Sequence, residues 1–431
     1  MFLIFWIAGL SIMALADESG FDTPEKAGSP PISGLLQGPF IGHVEPNRVF
    51  IWARAPAVGN YTLDVHIDPA TMRSFQESAS TDRDLCMVWT VDGLSPNHDY
   101  TYLIKDASGK TLSENYRFRT APKPTGDGAT RLFFGSCARE DLGVDQLWQQ
   151  AAREEIDIVV LLGDTPYIDT TELDKQRARY AAFASVEPMA KLLRSTPWYG
   201  IWDDHDFGAN DIDGRLLGKE RSRRAFIEYH ANPSYGDGKS GIYTRFHYGP
   251  VEVFLLDTRY FAATEPSPFH KHRASLLGRA QWDWLRQGLE SSTAPVKVLA
   301  CGMIWNEATR PGKPDHWGSY PHERRALFEF IGEKKVSGVI LVGGDIHRSR
   351  VLRHDTQDLA GYDIYELISS PMHGSVIEAA NAPHPALIKD MGIPNMFMLL
   401  EVEQRAGVVT RLQARFLSSS GEEHYRIDLL D

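Results

Sequence analysis

The chain has 431 residues, of which 42% are hydrophobic, 24% charged and 11% aromatic, a composition that supports buried cores and excludes a disordered or repetitive protein. Its length exceeds one ordinary core and implies two domains. A net charge of −12 excludes a nucleic-acid binder working through clustered Lys and Arg, and three cysteines are too few for a disulfide framework.

Met1 to Ala16 is nearly all apolar and ends in Ala14-Leu15-Ala16 before Asp17, the small-x-small pattern of a signal-peptidase site. It is shorter than the roughly 20 residues that span a bilayer. Residues 1–16 therefore read as a signal peptide, with export to the periplasm or beyond and no transmembrane span once it is removed. Residues 17–37, rich in Gly, Pro, Ser and acids, read as a flexible lead. From 38 to 120, the pattern changes to short alternating segments: Val49 to Ala53, then Tyr61, Leu63, Val65 and Ile67 on one face, then Met87 to Val91, Tyr100 to Lys105 and Tyr116 to Thr120. This spacing predicts a small all-β sandwich of the immunoglobulin or fibronectin kind, with Leu94-Ser95-Pro96 and Tyr100 placed as in a tyrosine corner.

Residues 121–129 read as a linker by composition. In the remainder, 130–431, continuous apolar runs alternate with helical stretches: Arg131 to Gly135, Ile158 to Leu162, Trp198 to Trp202, Val251 to Leu256, Val296 to Cys301 and Val339 to Val342. Such runs suit strands buried on both faces, with amphipathic segments such as Glu172 to Leu193 and Lys219 to His230 outside them. The later runs Ile364 to Ser369, Met396 to Val402 and Val409 to Phe416 are expected to form a second sheet. The expectation is an α/β four-layer sandwich, two mixed sheets flanked by helices.

Four of the runs end in residues that favour metals or phosphate: Gly135-Ser136-Cys137-Ala138-Arg139, Gly163-Asp164-Thr165-Pro166-Tyr167, Asp203-Asp204-His205-Asp206 and Gly344-Asp345-Ile346-His347-Arg348. Loops at the carboxyl edge of an open α/β sheet form its ligand crevice, so these four are expected to converge. Two metals about 3.5–4 Å apart clamp phosphoryl oxygens and acidify water, which hydrolysis of a phosphate ester requires. One carboxylate must then bridge the ions, and Asp164, fixed by Gly163, is the natural candidate. Thiolate and tyrosinate favour trivalent iron, and Tyr167 is placed to reach the same ion as Cys137.

The order Gly-Ser-Cys, Gly-Asp-x-x-Tyr, Trp-Asp-Asp-His-Asp and Gly-Asp-x-His resembles the PhoD-like branch of the calcineurin-like metallophosphoesterases, and the resemblance runs from Gly38 to about Val402. It implies an alkaline phosphatase of the D type, with a metal-bound hydroxide attacking phosphorus, Fe3+ and Ca2+ as cofactors, and a small-molecule or lipid phosphate ester as substrate. Cys137 and Tyr167 would bind iron and Asp164 would bridge. Asp204 would hold the second ion, with Asp345 and His347 in the superfamily's Gly-His-x-His position. His205 would contact the phosphate or protonate the leaving oxygen, and Arg139 would hold a phosphoryl oxygen. A monomer is expected. Other readings are a phospholipase D-like phosphodiesterase, and a surface-binding protein with an inactive phosphoesterase domain.

Two departures from the pattern stand out. Gly302-Met303-Ile304-Trp305-Asn306 carries no counterpart of the superfamily's isolated metal-binding His, and Thr165-Pro166 stands where many relatives have Gln-Ile. Of the remaining candidates, Cys86 and Cys301 read as small core residues and Asp257 as an organiser of local loops with Arg259. His316, His322 and His373 lie in loops that could reach the pocket, although a loop histidine is more often merely exposed. The acidic run 203–206 reads either as a solvated turn or as a group whose mutual repulsion a cation relieves, the latter favoured by its close spacing.

Overall fold

Residues 34–140 and 143–430 are described in the computed structural model; the expected leader, Met1–Ala16, and residues 17–33 of the lead lie outside them. Seven strands come first: β1 (Gln37–Glu45), β2 (Arg48–Arg54), β3 (Gly59–His66), β4 (Met72–Ala79), β5 (Cys86–Asp92), β6 (Asp99–Asp106) and β7 (Tyr116–Arg119). They form two antiparallel sheets ordered β1-β2-β5 and β4-β3-β6-β7. Period-two alternation puts Tyr61, Leu63 and Val65 with Tyr100, Tyr102 and Ile104 in the core. Ser95 N donates to the Tyr100 hydroxyl at 2.7 Å, the local bond expected of the Leu94–Tyr100 corner.

Strands β1 and β4 were not legible in the sequence. Gly38, Pro39 and Gly42 interrupt the alternation of β1, which is buried on both faces because it lies against later parts of the chain. A Cβ at Gly42 would lie 2.3 Å from that of Ala231, and His43 N donates to Ala231 O at 2.8 Å. Three further bonds tie these sheets to residues beyond 190: Val44 N to Tyr199 Oη (3.0 Å), Trp52 Nε1 to Glu228 O (2.8 Å) and Tyr102 Oη to Arg194 O (2.8 Å). The polar strand β4 is an edge strand, where exposed Ser74, Gln76 and Ser78 carry no hydrophobic signal.

Strands β8 (Gly128–Gly135), β9 (Ile158–Leu162) and β10 (Trp198–Ile201) pair in parallel. The chain then adds β11 (Thr244–Tyr248), β12 (Val251–Leu255), a short ribbon of β13 (Pro266–Ser267) and β14 (His270–Ala274), β15 (Val296–Ala300), β16 (Val339–Gly343), β17 (Ser349–His354), β18 (Ile364–Ile368) and β19 (Leu387–Met391). It ends in β20 (Met396–Arg405), β21 (Val408–Ser418) and β22 (Glu423–Asp428). The two large sheets are ordered β10-β9-β8-β20-β21-β22 and β11-β12-β15-β16-β18-β17-β19. This corrects the expected partition. The run at 364 pairs with β16, whereas the runs at 396 and 409 return to the first sheet, where Leu400 faces Leu132. Apolar runs specify burial, not the neighbour that supplies it.

Burial on both faces follows the strand period. Val253, Val298 and Val342 of the second sheet share one core with Phe134, Val160 and Leu400 of the first. Their neighbours Phe254, Leu299 and Leu341 point the other way, into a core closed by α6 (Gly278–Ser291) and α7 (Pro321–Glu333). Fully burying an aliphatic side chain of this size stabilises by about 1.5–3 kcal/mol. On the outside of the first sheet, Trp148 of α1 (Val144–Ala151) stacks on Phe133 with ring centroids 5.5 Å apart. The expected amphipathic stretch 172–193 is two helices, α2 (Leu173–Phe183) and α3 (Glu187–Leu193), followed by the four-residue α4 (Asp204–Phe207) and then α5 (Lys219–Tyr229). Among the described residues no helix is long and apolar enough to cross a membrane.

Candidate metal centre

All four motif loops leave the carboxyl ends of parallel strands and meet. The loop after β8 is locked to the loop after β9 by Cys137 N to Gly163 O (3.2 Å) and Ala138 N to Asp164 O (3.0 Å). Ser136 Oγ donates to Ser369 O at 2.8 Å, fastening it also to the second sheet. Cys137, Asp164, Asp345 and His347 all hold positive φ (56°, 53°, 65° and 51°), as do Asp169 and Asp211 nearby. For residues other than glycine this backbone is uncommon and costs on the order of 1 kcal/mol each, and such outliers concentrate at functional sites.

Gly163, with φ +90°, permits a close approach: a Cβ there would lie 2.2 Å from Asp203 N. We expect Gly163→Ala to lose about 2 kcal/mol or more of stability and most of its bound metal, because Asp164 and Asp203 are forced apart. Thermal melts paired with metal analysis check this, and an unshifted melt would refute it.

Cys137 Sγ lies 3.5 Å from Asp164 Oδ2 and 3.4 Å from Asp345 O, and accepts from Ser370 Oγ at 3.2 Å. Ligand atoms of Cys137, Asp164 and His347 fall within 4.8 Å of one another, and so do those of Asp164, Asp204 and His205. Asp164 belongs to both groups, the position of a bridging carboxylate. The Tyr167 hydroxyl is 2.8 Å from His347 Nε2 and 3.1 Å from His373 Nε2. Arg139 holds its guanidinium carbon 4.5 Å from the Tyr167 ring centroid, and the His205 ring lies at the same centroid distance. His205 Nδ1 is 2.6 Å from Asp169 Oδ1. Asp345 joins a third group with Asp203 and Asp204. All eight residues expected at the site are thus within it or against it.

The structure corrects two secondary readings. His373 is fully buried and touches Tyr167, and His316 is buried too, whereas exposure was the favoured reading for both. The acidic run 203–206 is partly relieved by the protein itself. Arg259 Nε and Nη2 reach Asp203 Oδ1 (2.7 and 2.5 Å), and its two Nη atoms grip Asp315 at 2.8 Å. Asp206 instead closes a capping box at α4, accepting from Asp203 N at 2.6 Å. Asp257 behaves as expected: it accepts from Trp202 Nε1 and from the backbone N–H groups of Ile242, Arg259 and Tyr260. Asp169, Asp211, Lys313 and Asp315 were missed, because each stands alone in a polar loop without a strand-ending glycine before it.

Electrostatics show what these residues call for. Burial and the neighbouring Asp204, Cys137, Asp203 and Asp206 push the Asp164 carboxyl well above its usual range. Burial, against the pull of Lys313, raises Asp345 to about 6, and burial raises Asp206 to about 7. Burial likewise raises the Cys137 thiol to about 11. Asp204 moves the other way: against its burial, Arg259, His205 and Lys313 hold it below the usual carboxylate range. His347 Nδ1 is buried with no hydrogen-bond partner. A buried set of thiol, phenol, imidazole and carboxylate groups that resist ionising together fits bound cations, which stabilise the ionised forms at once.

The two stacked mixed sheets, with the donor cluster at the carboxyl ends of their parallel strands, have the metallophosphoesterase fold. The solved "Structure of PhoD" superposes with a TM-score of 0.72, 19% identity and 94% coverage of both chains. A purple acid phosphatase, PPD1, from yellow lupin (Lupinus luteus) seeds gives 0.69 at 14% identity, covering 91% of this chain and 74% of its own. The sequence model of the PhoD-like phosphatases matches residues 132–409, and the chain belongs to that family. It is 28% identical over 309 residues to Alkaline phosphatase D of Bacillus subtilis (strain 168). That match covers 60% of this chain and 52% of the relative, so the chain spans about half the length of the curated protein it resembles.

Proposed function

We propose that the chain hydrolyses phosphate esters as a metal-dependent alkaline phosphatase of the D type. One observation carries the reading: Asp164 belongs to two donor groups, one with Cys137 and His347 and one with Asp204 and His205. Cys137, Tyr167, His347 and Asp164 suit Fe3+, and Asp164, Asp204 and Asp345 suit Ca2+. Bound there, the cations would neutralise phosphoryl oxygens and acidify a water.

The side chains around them supply the rest. Asp169 fixes the His205 ring through Nδ1 and leaves Nε2 as the nitrogen available to protonate a leaving oxygen. Arg139, held over the Tyr167 ring, is placed to take charge that develops on the phosphoryl group. Arg179 steadies this arrangement by donating Nε to Tyr167 O at 3.0 Å while pairing with Glu140.

A metal inventory, a visible spectrum and paired assays on a phosphomonoester and a choline phospholipid test the reading. Iron with a thiolate or tyrosinate absorption band, and turnover of the monoester lost on chelation, are the expected results. Protein that takes up no metal and turns over neither substrate would overturn it, while turnover of the phospholipid alone would make the enzyme a phosphodiesterase.

A further inference from the structure

Residues 307–316 cross the centre as a strap pinned at both ends. Near its start, the buried Arg350 donates Nη1 to Ala308 O at 2.5 Å. Near its end, Asp315 is held by both Nη atoms of Arg259. Between the pins the strap delivers Lys313, whose side chain is only 6% exposed. Its Nζ lies 2.8 Å from each carboxylate oxygen of Asp345 and 3.2 Å from Asp211 Oδ1.

These contacts fall among the carboxylates that a second cation would use. Asp345 clusters with Asp203 and Asp204, and Asp211 with Asp204 and Asp315. Asp211 is also tied to Asp204 directly, its N–H donating to Oδ2 at 2.6 Å. A compact ammonium is thus already placed where oxygen ligands converge, and it is the strap, rather than any of the four motif loops, that puts it there.

We propose that Lys313 is a resident counter-ion that competes with a divalent cation for Asp345 and so sets the cation affinity of the oxygen-rich half of the centre. The inference rests on the metal reading above and adds to it a residue that tunes occupancy. A divalent ion arriving beside Asp204 must share Asp345 with the ammonium or displace it. Like charges a few ångströms apart in a poorly solvated interior repel strongly, so either route weakens binding. Arg350 and Arg259 hold the strap near its two ends and so oppose its swinging away as a whole.

The test is calorimetric titration of calcium chloride into the metal-stripped whole protein, comparing wild type with Lys313→Met, Lys313→Gln and Lys313→Arg. Loss of the charge is expected to tighten calcium binding by about tenfold or more, whereas Arg keeps affinity near wild type. The Gln variant retains a hydrogen-bond donor to Asp345 and keeps the test open where Met fails to fold. Unchanged or weaker binding by the folded neutral variants would overturn the inference and leave Lys313 as an orienting group for Asp345. Calcium binding by none of the proteins would overturn the metal reading and this inference with it.

Discussion

Asp164→Asn is expected to lose about a thousandfold in kcat/KM on a phosphomonoester, while its metal-free form melts at a higher temperature than the metal-free parent. The two effects share one cause. Asp164 is fully buried, close to Cys137 and to the Asp204 group, and its carboxyl is pushed up first by burial and then by its acidic neighbours. Without cations that charge is a cost to the fold; on the proposed reading the same carboxylate would bridge them. The same shift fixes the sign of the pH dependence. A carboxyl raised in the folded state binds its proton more tightly there than in the unfolded chain, so stability falls as pH rises from about 4 through the folded value. Asp345 at about 6 and Asp206 at about 7 act in the same direction. Relative to the Asn variant, the metal-free parent is therefore expected to lose stability as pH rises from about 4. Melting curves at several pH values in chelator, with the assay run in added iron and calcium, measure both parts. Full activity in the Asn variant would remove Asp164 from the bridging position.

For stability alone, the largest effect is expected at Arg259. Its side chain is 1% exposed and neutralises Asp203 and Asp315, themselves 1% and 8% exposed. Arg259→Met keeps much of the volume but leaves two carboxylates buried without a counter-charge, and removal of one partner from such a network costs about 3–5 kcal/mol. The guanidinium also bonds Ile212 O at 3.1 Å, so the loop after α4 loosens with it. Urea unfolding of the parent and variant in chelator reads this directly. A loss below about 1 kcal/mol would mean that the acids reach water and that the network is not sealed.

The fold was legible where burial on both faces sets the pattern. The runs at Ile158, Val251 and Val296 fall within a residue of their strands because continuous burial leaves no polar position to blur them. Sheet membership was not legible, since Met396 to Val402 is as apolar as a strand of either sheet and only pairing with β8 decides its place. The four motif loops announced themselves through glycines and clustered acids. Lys313 and Asp315 did not, because Pro311-Gly312-Lys313-Pro314-Asp315 has the composition of any exposed turn. Only the neighbours supplied by distant segments, Asp345 and Arg259, make that stretch part of the centre.

The left-handed backbone at Cys137, Asp164, Asp169, Asp211, Asp345 and His347 also bears on how the protein exchanges its ions. These bends are imposed by surrounding sheet and loop contacts, so the chelating geometry is inherited from the fold. If cations bind there, loading and stripping become questions of charge balance and access more than of refolding the loops that hold them.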